Sequence, residues 1–330
     1  MTCWVITPAL AFVMAGLLTT LFLARRWHWA IDHPNERSLH SNPTPRTGGV
    51  ALLAAVAATS VLAATWLPKM PWIAFGLALG LALLSLLDDR SGLPVSWRLA
   101  GHFGAAVVYC IVLSNAGIPA IWFPITVLAI TAMTNFYNFM DGANGMAGGM
   151  AVAGFGTYGV AAFGAAPAMA MFCLCVSAAA AGFLCQNLRG RVFMGDSGSV
   201  PLGFLAASIG LLGIAERLWP FWFPLLAFAP FVADAGATLV RRVLRGDRFW
   251  EAHREHYYQR MVRMGWSHSR LALAEYALMC VCAGSALLVR DAEPGTRNAV
   301  LAAVAFLLTG SAVAVDYKWS RYLSAQRLSP

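Results

Sequence analysis

Eleven stretches of about 20 residues, nearly free of charge, follow one another along this 330-residue chain, each long enough to cross a bilayer as a helix. They run roughly 4–24, 47–66, 70–87, 99–117, 119–139, 145–164, 167–185, 200–215, 219–240, 270–289 and 298–316. The chain is 59% hydrophobic and only 12% charged, too few charges to cover a soluble body of this size. Inside lipid, every backbone polar group needs an internal partner, and segments of this length satisfy that as α-helices. The expected fold is an all-α integral membrane protein with ten or eleven transmembrane helices. It forms a single polytopic domain over 1–330 with no soluble domain. The shortest candidate spans are 70–87 and 200–215.

Orientation follows from the basic residues. With the N-terminus outside and the C-terminus inside, 19 of the 23 lysines and arginines fall in inner loops. Only Lys69, Arg217, Arg290 and Arg297 stay outside, which is the bias expected of a cytoplasmic face. The inner loops are then about 25–46, 88–98, 135–145, 186–199 and 241–270. The first segment does not read as a cleaved signal peptide, because nothing basic precedes it and Arg25 and Arg26 follow. The seven cysteines fit no zinc spacing or disulfide framework. The net charge of +8 lines one face of a membrane protein, where anionic lipid and anionic substrate explain it without nucleic acid.

The chemistry-bearing residues all fall on that inner face. Asp88 and Asp89 end an uncharged segment. Two adjacent acids repel unless a cation sits nearby, and Arg98 lies nine residues beyond the pair. A solvated helix end is the plainer alternative. Asn135, Asn138 and Asp141, in NFYNFMDGANG, offer oxygens of the kind a hard cation such as Mg²⁺ takes. Polar packing between helices is the alternative there. In FMGDSGS, Phe193 and Asp196 stand among small residues before a helix whose N-terminus can face an anion. Glycines beside both acids suggest close backbone approach to phosphate. His253, Arg254, His256 and Arg260 lie in HREHYYQR, where 253, 256 and 260 share a helical face able to grip a diphosphate or to hold a metal through both histidines, with a lipid-facing basic helix as the alternative. Arg37, His40 and Arg46 lie in a proline-stiffened basic loop ending PTPRTGG, which also reads as a positive-inside loop. Asp234 either pairs with a basic residue or helps the site. Pro220, Pro224 and Pro230 bend the ninth segment and can frame a lipid-open groove.

Five motifs in order, PTPRTGG, DDR, NFYNFMDGANG, FMGDSGS and HREHYYQR, resemble the polyprenyl-phosphate N-acetylhexosamine-1-phosphate transferases, the MraY/WecA-like members of glycosyltransferase family 4. The resemblance spans about Asp32 to Arg260. It implies an enzyme of the bacterial inner membrane that moves a sugar-1-phosphate from a UDP-sugar to undecaprenyl phosphate, releases UMP and requires Mg²⁺, with Mn²⁺ as a substitute. It also leaves a homodimer open. By the same resemblance Asp196 holds the metal, with Asn138 sharing it. Phe193 stacks on uracil and Asn144 reads its edge. Asp88, Asp89 and Asp141 are catalytic acids, Arg98 binds phosphate, and His253 and His256 sit near the diphosphate. Arg46, Asn135, Arg254 and Arg260 complete the substrate contacts.

Asn144 replaces the second acid common in the family. HREHYYQR lacks the consecutive histidines of the enzyme that starts the peptidoglycan precursor, so phospho-MurNAc-pentapeptide transfer is the alternative rather than the first reading. The motif is closer to WbpL-type enzymes that start O-antigen, whose donors carry GlcNAc or a deoxy-aminosugar such as FucNAc or QuiNAc. A secondary transporter is the rival from another class. Against it, the acids gather at one face rather than at the midplane.

Overall fold

A computed structural model describes residues 2–25, 30–32, 34, 43–248 and 253–328, so the expectations for Arg37 and His40 lie outside the described residues. The chain is helical almost throughout. Its helices are α1 (Thr2–Ala24), α2 (Gly48–Ala64), α3 (Trp72–Ser91), α4 (Val95–Asn115), α5 (Phe123–Phe139), α6 (Met146–Ala162), α7 (Pro167–Asn187), α8 (Asp196–Ala215), α9 (Trp222–Ala227), α10 (Ala229–Leu244), α11 (Tyr257–Arg263), α12 (His268–Val289) and α13 (Pro294–Leu328). Two short strands, β1 (Ile31–Asp32) and β2 (Thr44–Pro45), pair antiparallel ahead of α2. Eight of the helical segments are long and apolar enough to cross a membrane, and the chain is a multi-pass membrane protein.

The core is built around α7 and α8. α7 packs against α1, α2 and α6, and α8 packs against α3 and α5. Both are mostly buried inside the protein, whereas α13 is almost wholly exposed. Pro124, Pro167 and Pro230 each open a helix, where the missing N–H costs nothing and the ring presets the backbone. Gly92 closes α3 in the left-handed region, at φ 64°.

Three boundaries shift, each with consequences. α3 runs on through Asp88 and Asp89, so the paired acids sit in its last turns rather than in a loop. α8 starts at Asp196 itself, placing that carboxylate in the first helical turn. The ninth apolar segment is two helices, α9 and α10, broken at Phe228. Pro230 lacks the N–H that would continue the ladder, so the bend expected from the prolines is a full interruption.

Beside that break lies an apolar cavity of about 820 Å³ between α5, α8, α9 and α10. On the α5 side its wall includes Trp122, just before the helix, and Ile125, Ala129, Met133 and Phe136 along one helix face. The fourteen residue steps from Trp122 to Phe136 correspond to about 21 Å of helix. One end of the cavity is at Arg217, and the other comes down to Phe136 and Val232, one residue from Asn135. α13, with 35 residues, is about 52 Å long and exceeds a ~30 Å hydrocarbon core, so its last turns run past the bilayer.

Candidate active site

The ends of α3, α5, α7 and α10 and the starts of α2, α4, α6 and α8 meet at one end of the bundle. Backbone pairing fixes the entry. Arg46 N–H donates to Ala30 (2.8 Å), Phe193 N–H to Pro45 (2.8 Å), Gly48 N–H to Phe193 (3.0 Å) and Gly49 N–H to Met194 (2.9 Å). The PTPRTGG and FMGDSGS motifs are thus one interlocked unit. A Cβ on Gly49 would come within 2.4 Å of the Gly198 backbone. These two glycines let the starts of α2 and α8 touch. Gly195, at φ 71°, makes the turn into α8, where its would-be Cβ meets the Arg46 backbone at 2.9 Å.

Into this frame project five carboxylates and two guanidiniums. Arg46 contacts Asp32 at 2.7 Å and Asp89 at 3.5 Å. Arg98 contacts Asp88 at 2.9 Å and Asp196 at 3.7 Å. Each arginine therefore bridges two acids, which the planar guanidinium fork suits. Asp88 also accepts from the Leu93 backbone N–H at 2.7 Å, so it is tied down twice. Asp89 differs. Its Oδ2 is buried and has no hydrogen-bond partner among the described residues. Asp141 is the fifth acid. Burial first, and then the nearby Asp196 carboxylate, push its carboxyl well above the usual range, with Arg46 and the Gly195 N–H opposing. Among the described residues, the guanidiniums of Arg46 and Arg98 are each shared between two of these acids.

The DGANG corner between α5 and α6 is held from several sides. Ser199 Oγ donates to Asn138 Oδ1 at 2.6 Å, joining α8 to α5. Gly145 N–H donates to Asn187 Oδ1 at 2.7 Å, and Tyr276 OH donates to the Gly145 carbonyl at 2.9 Å. Asn144 N–H meets His268 Nδ1 at 3.3 Å, while the Asn144 amide lies by Gly190. Tyr258 OH donates to the Phe139 carbonyl at 3.0 Å and fills the space where a Gly142 side chain would be. Asn135 turns its amide to the Thr131 carbonyl of its own helix (2.7 Å). Phe193 is half-buried at the start of the turn into α8.

The HREHYYQR segment departs from expectation. His253 and Arg254 precede α11 instead of sharing a helical face with Arg260, because the helix begins only at Tyr257. The turn still brings the rings of His253 and His256 to 4.9 Å. Burial, then the neighbouring His256 and Arg242, drive His253 down to about 4, so it is a neutral ring near pH 7 rather than a cation. Arg260 is committed elsewhere. It is buried, contacts Asp316 of α13 at 2.8 Å, and lies over the Tyr257 and Trp319 rings. A diphosphate grip by Arg260 does not fit that placement. Arg241 also pairs with Asp316 (2.8 Å), not with Asp234, whose partner is His256 Nδ1 at 3.2 Å.

Asp32, Asn187, Tyr258, His268, Tyr276 and Asp316 carry this arrangement but escape sequence reasoning. Each acts through a partner in a different helix or loop, and no local spacing signals that.

Among the described residues no three Cys, His, Asp or Glu side chains lie close enough to enclose a metal ion on their own. The donor set instead suits a hard cation that takes one or two carboxylates and completes its shell with substrate phosphate and water. The bare Asp89 Oδ2 and the acids sharing Arg46 and Arg98 are the observations that make such a cation fit.

A carboxylate-rich site at one end of a bundle of apolar helices, beside an apolar cavity, has room for a substrate that is charged at one end and apolar at the other. The glycosyl transferase family 4 profile matches residues 71–214, which holds the paired acids, the DGANG corner and Asp196. The chain is 28% identical over 283 residues to a probable undecaprenyl-phosphate N-acetylglucosaminyl 1-phosphate transferase of Bacillus subtilis, covering 80% of this chain and 78% of that one. It is 28% identical to a decaprenyl-phosphate N-acetylglucosaminephosphotransferase of Mycolicibacterium smegmatis, covering 82% and 78%. It is 26% identical to the undecaprenyl-phosphate alpha-N-acetylglucosaminyl 1-phosphate transferase of Escherichia coli K12, covering 96% and 94%. The chain is thus similar to polyprenyl-phosphate N-acetylglucosaminyl 1-phosphate transferases over most of its length.

Proposed function

We propose that this protein transfers a sugar-1-phosphate from a UDP-sugar to undecaprenyl phosphate at the cytoplasmic face of a bacterial inner membrane, releasing UMP. The observation that carries the reading is the meeting of Asp88, Asp89, Asp141 and Asp196 with Arg46 and Arg98 at the end of the bundle where the apolar cavity arrives. The relatives' names point to the same reaction. The cavity receives part of the polyprenyl chain and leaves its phosphate near Asn135 and Asn138. The donor is a UDP-sugar carrying GlcNAc or a deoxy-aminosugar, and the product starts O-antigen or a related surface glycan.

The acceptor is a phosphate monoester with a second pKa near ~6, so it is mostly dianionic at neutral pH and needs little help from a base. The barrier is the approach of one anion to another. Arg98, bridging Asp88 and Asp196, has a guanidinium that can turn toward an entering phosphate. Asp196, with Asn138, would hold Mg²⁺, which when bound neutralises phosphate charge and stabilises the departing UMP. Phe193 and Asn144 border the space for uracil.

Of the paired acids, Asp89 alone keeps an unengaged oxygen. It is the acid that meets the acceptor phosphate, or the nucleophile if a phosphosugar forms on the enzyme. Direct in-line attack by the lipid phosphate on the sugar-bearing phosphorus is the preferred course.

The test is UMP release by purified protein with undecaprenyl phosphate and Mg²⁺, across UDP-GlcNAc, UDP-GalNAc, UDP-FucNAc, UDP-QuiNAc and UDP-MurNAc-pentapeptide. Release with one donor, lost on adding EDTA, supports the reaction, its metal and its sugar together. Well-folded protein that neither releases UMP nor binds UDP would overturn the reading. A radioactive phosphosugar trapped on the enzyme without lipid would replace direct attack with the covalent route.

A further inference from the structure

Asp234 is a buried carboxylate on α10, and none of its partners is a lysine or arginine among the described residues. Its Oδ1 lies 3.2 Å from His256 Nδ1, accepts the Tyr257 backbone N–H at 2.9 Å and takes the Thr238 hydroxyl at 3.3 Å. Its Oδ2 accepts the Tyr258 backbone N–H at 3.1 Å. Four donors satisfy a charge that would otherwise be costly to bury.

The pairing decides what His256 can do. The Gln259 backbone N–H also reaches the His256 side chain, but a carboxylate is the stronger partner and repels a bare lone pair. The hydrogen therefore sits on Nδ1, facing Asp234. With Nδ1 donating to Asp234, Nε2 is the ring nitrogen left to accept the Gln259 N–H, and the ring is fixed in rotation. The ring stands beside those of Phe139 and His253, and Tyr258 anchors the same segment to the DGANG corner. Through His256, α10 thus communicates with the part of the site that carries Asp141.

We propose that Asp234 is a positioning residue for the transfer reaction, acting through His256 by holding its ring, hydrogen-bonded at Nδ1, beside Phe139 at the DGANG corner. This rests on the transferase reading above. It adds a residue outside the five motifs and explains why a histidine in HREHYYQR is buried against an acid.

The experiment uses full-length purified protein as wild type, Asp234→Asn, His256→Gln and the double variant. It reads kcat and KM for UMP release and amide hydrogen exchange over 253–263. Asparagine keeps one oxygen, enough to accept from either the Tyr257 or the Tyr258 amide, and removes the charge that fixes the ring. Asp234→Asn should lower kcat about 10–100-fold. It should change the donor KM by less than about threefold, and exchange over 253–263 should quicken at no more than the one amide that loses its acceptor. In the His256→Gln background, Asp234→Asn should add less than about twofold, because its route to the reaction is already gone.

Wild-type kcat in Asp234→Asn, or losses that multiply in the double variant, would overturn the proposal. A kcat loss that comes with faster exchange across 253–263 would also overturn it, leaving Asp234 as a structural cap alone. Wild-type protein that releases no UMP would overturn this inference and the transferase reading together. An active wild type with independent losses would overturn the inference alone.

Discussion

The acidic end of the bundle and the basic segment around α11 are both dense in charge, yet they are built in opposite ways. At the acidic end, Arg46 and Arg98 are each stretched between two acids, Asp89 leaves an oxygen bare, and Asp141 resists ionisation. Around α11, charges close on one another. Arg241 and Arg260 meet Asp316, and Arg242 and Arg245 meet Glu255. A charge already matched within the protein has little left for a ligand. A set left short of counter-charge is a place where a ligand completes the electrostatics. The difference assigns the chemistry to the acids and most of the scaffolding to the bases, the reverse of what a net charge of +8 suggests.

The strongest attempt to break this contrast is removal of the most exposed of the bridged acids. Asp196→Ala should reduce UMP release by more than about 10³-fold while leaving the thermal midpoint near wild type, and Asp196→Glu should leave a trace. Near-normal turnover in Asp196→Ala would end its assignment as the metal-holding acid. Asp89→Asn should follow at about 10²-fold, again in kcat. Arg98→Lys is the finer probe. It keeps the charge but cannot span Asp88 and Asp196 with one ammonium, so turnover should fall about tenfold. If lysine served equally well, the bridging geometry would carry no functional weight.

Much of the molecule was legible in the chain. All eleven apolar segments are helical, since length and hydropathy dictate that in lipid. The motif residues Asp88, Asp89, Asn138, Asp141 and Asp196 do gather at one end, because each sits at the end of an apolar run. What stayed hidden was pairing across the fold. HREHYYQR looked like one continuous cationic face, but Arg260 turns to Asp316, 56 residues away. Asp234 carried no spacing signal, because its partner His256 lies beyond a loop. The glycines of TGG and GDSGS were visible as small residues. Their purpose, contact between the starts of α2 and α8, appears only when both helices are in place.

The basic side should respond weakly to the same treatment. Asp316→Asn releases Arg241 and Arg260 from α13, and Asp316 is itself more than a third exposed, so solvent screens much of the loss. Turnover should change less than about threefold, and the thermal midpoint should fall by about 2 °C. A collapse of kcat would place this cluster in the site and erase the contrast.

The smallest effect comes from His253. Its folded value of about 4 lies below the 6.5 of a free imidazole, so between those values the unfolded chain binds the proton that the folded chain refuses. Stability tied to His253 is therefore complete above pH 6.5, declines as pH falls toward 4, and levels off below. His253→Gln removes the titrating group, so the fall in thermal midpoint between pH 7 and pH 5 should shrink by about 1–2 °C relative to wild type. An unchanged pH slope would mean that the ring takes up its proton freely in the folded protein. His253 would then gain its charge below about pH 6.5 as a free imidazole does, and under acid the basic segment would hold one charge that its own neighbours do not answer.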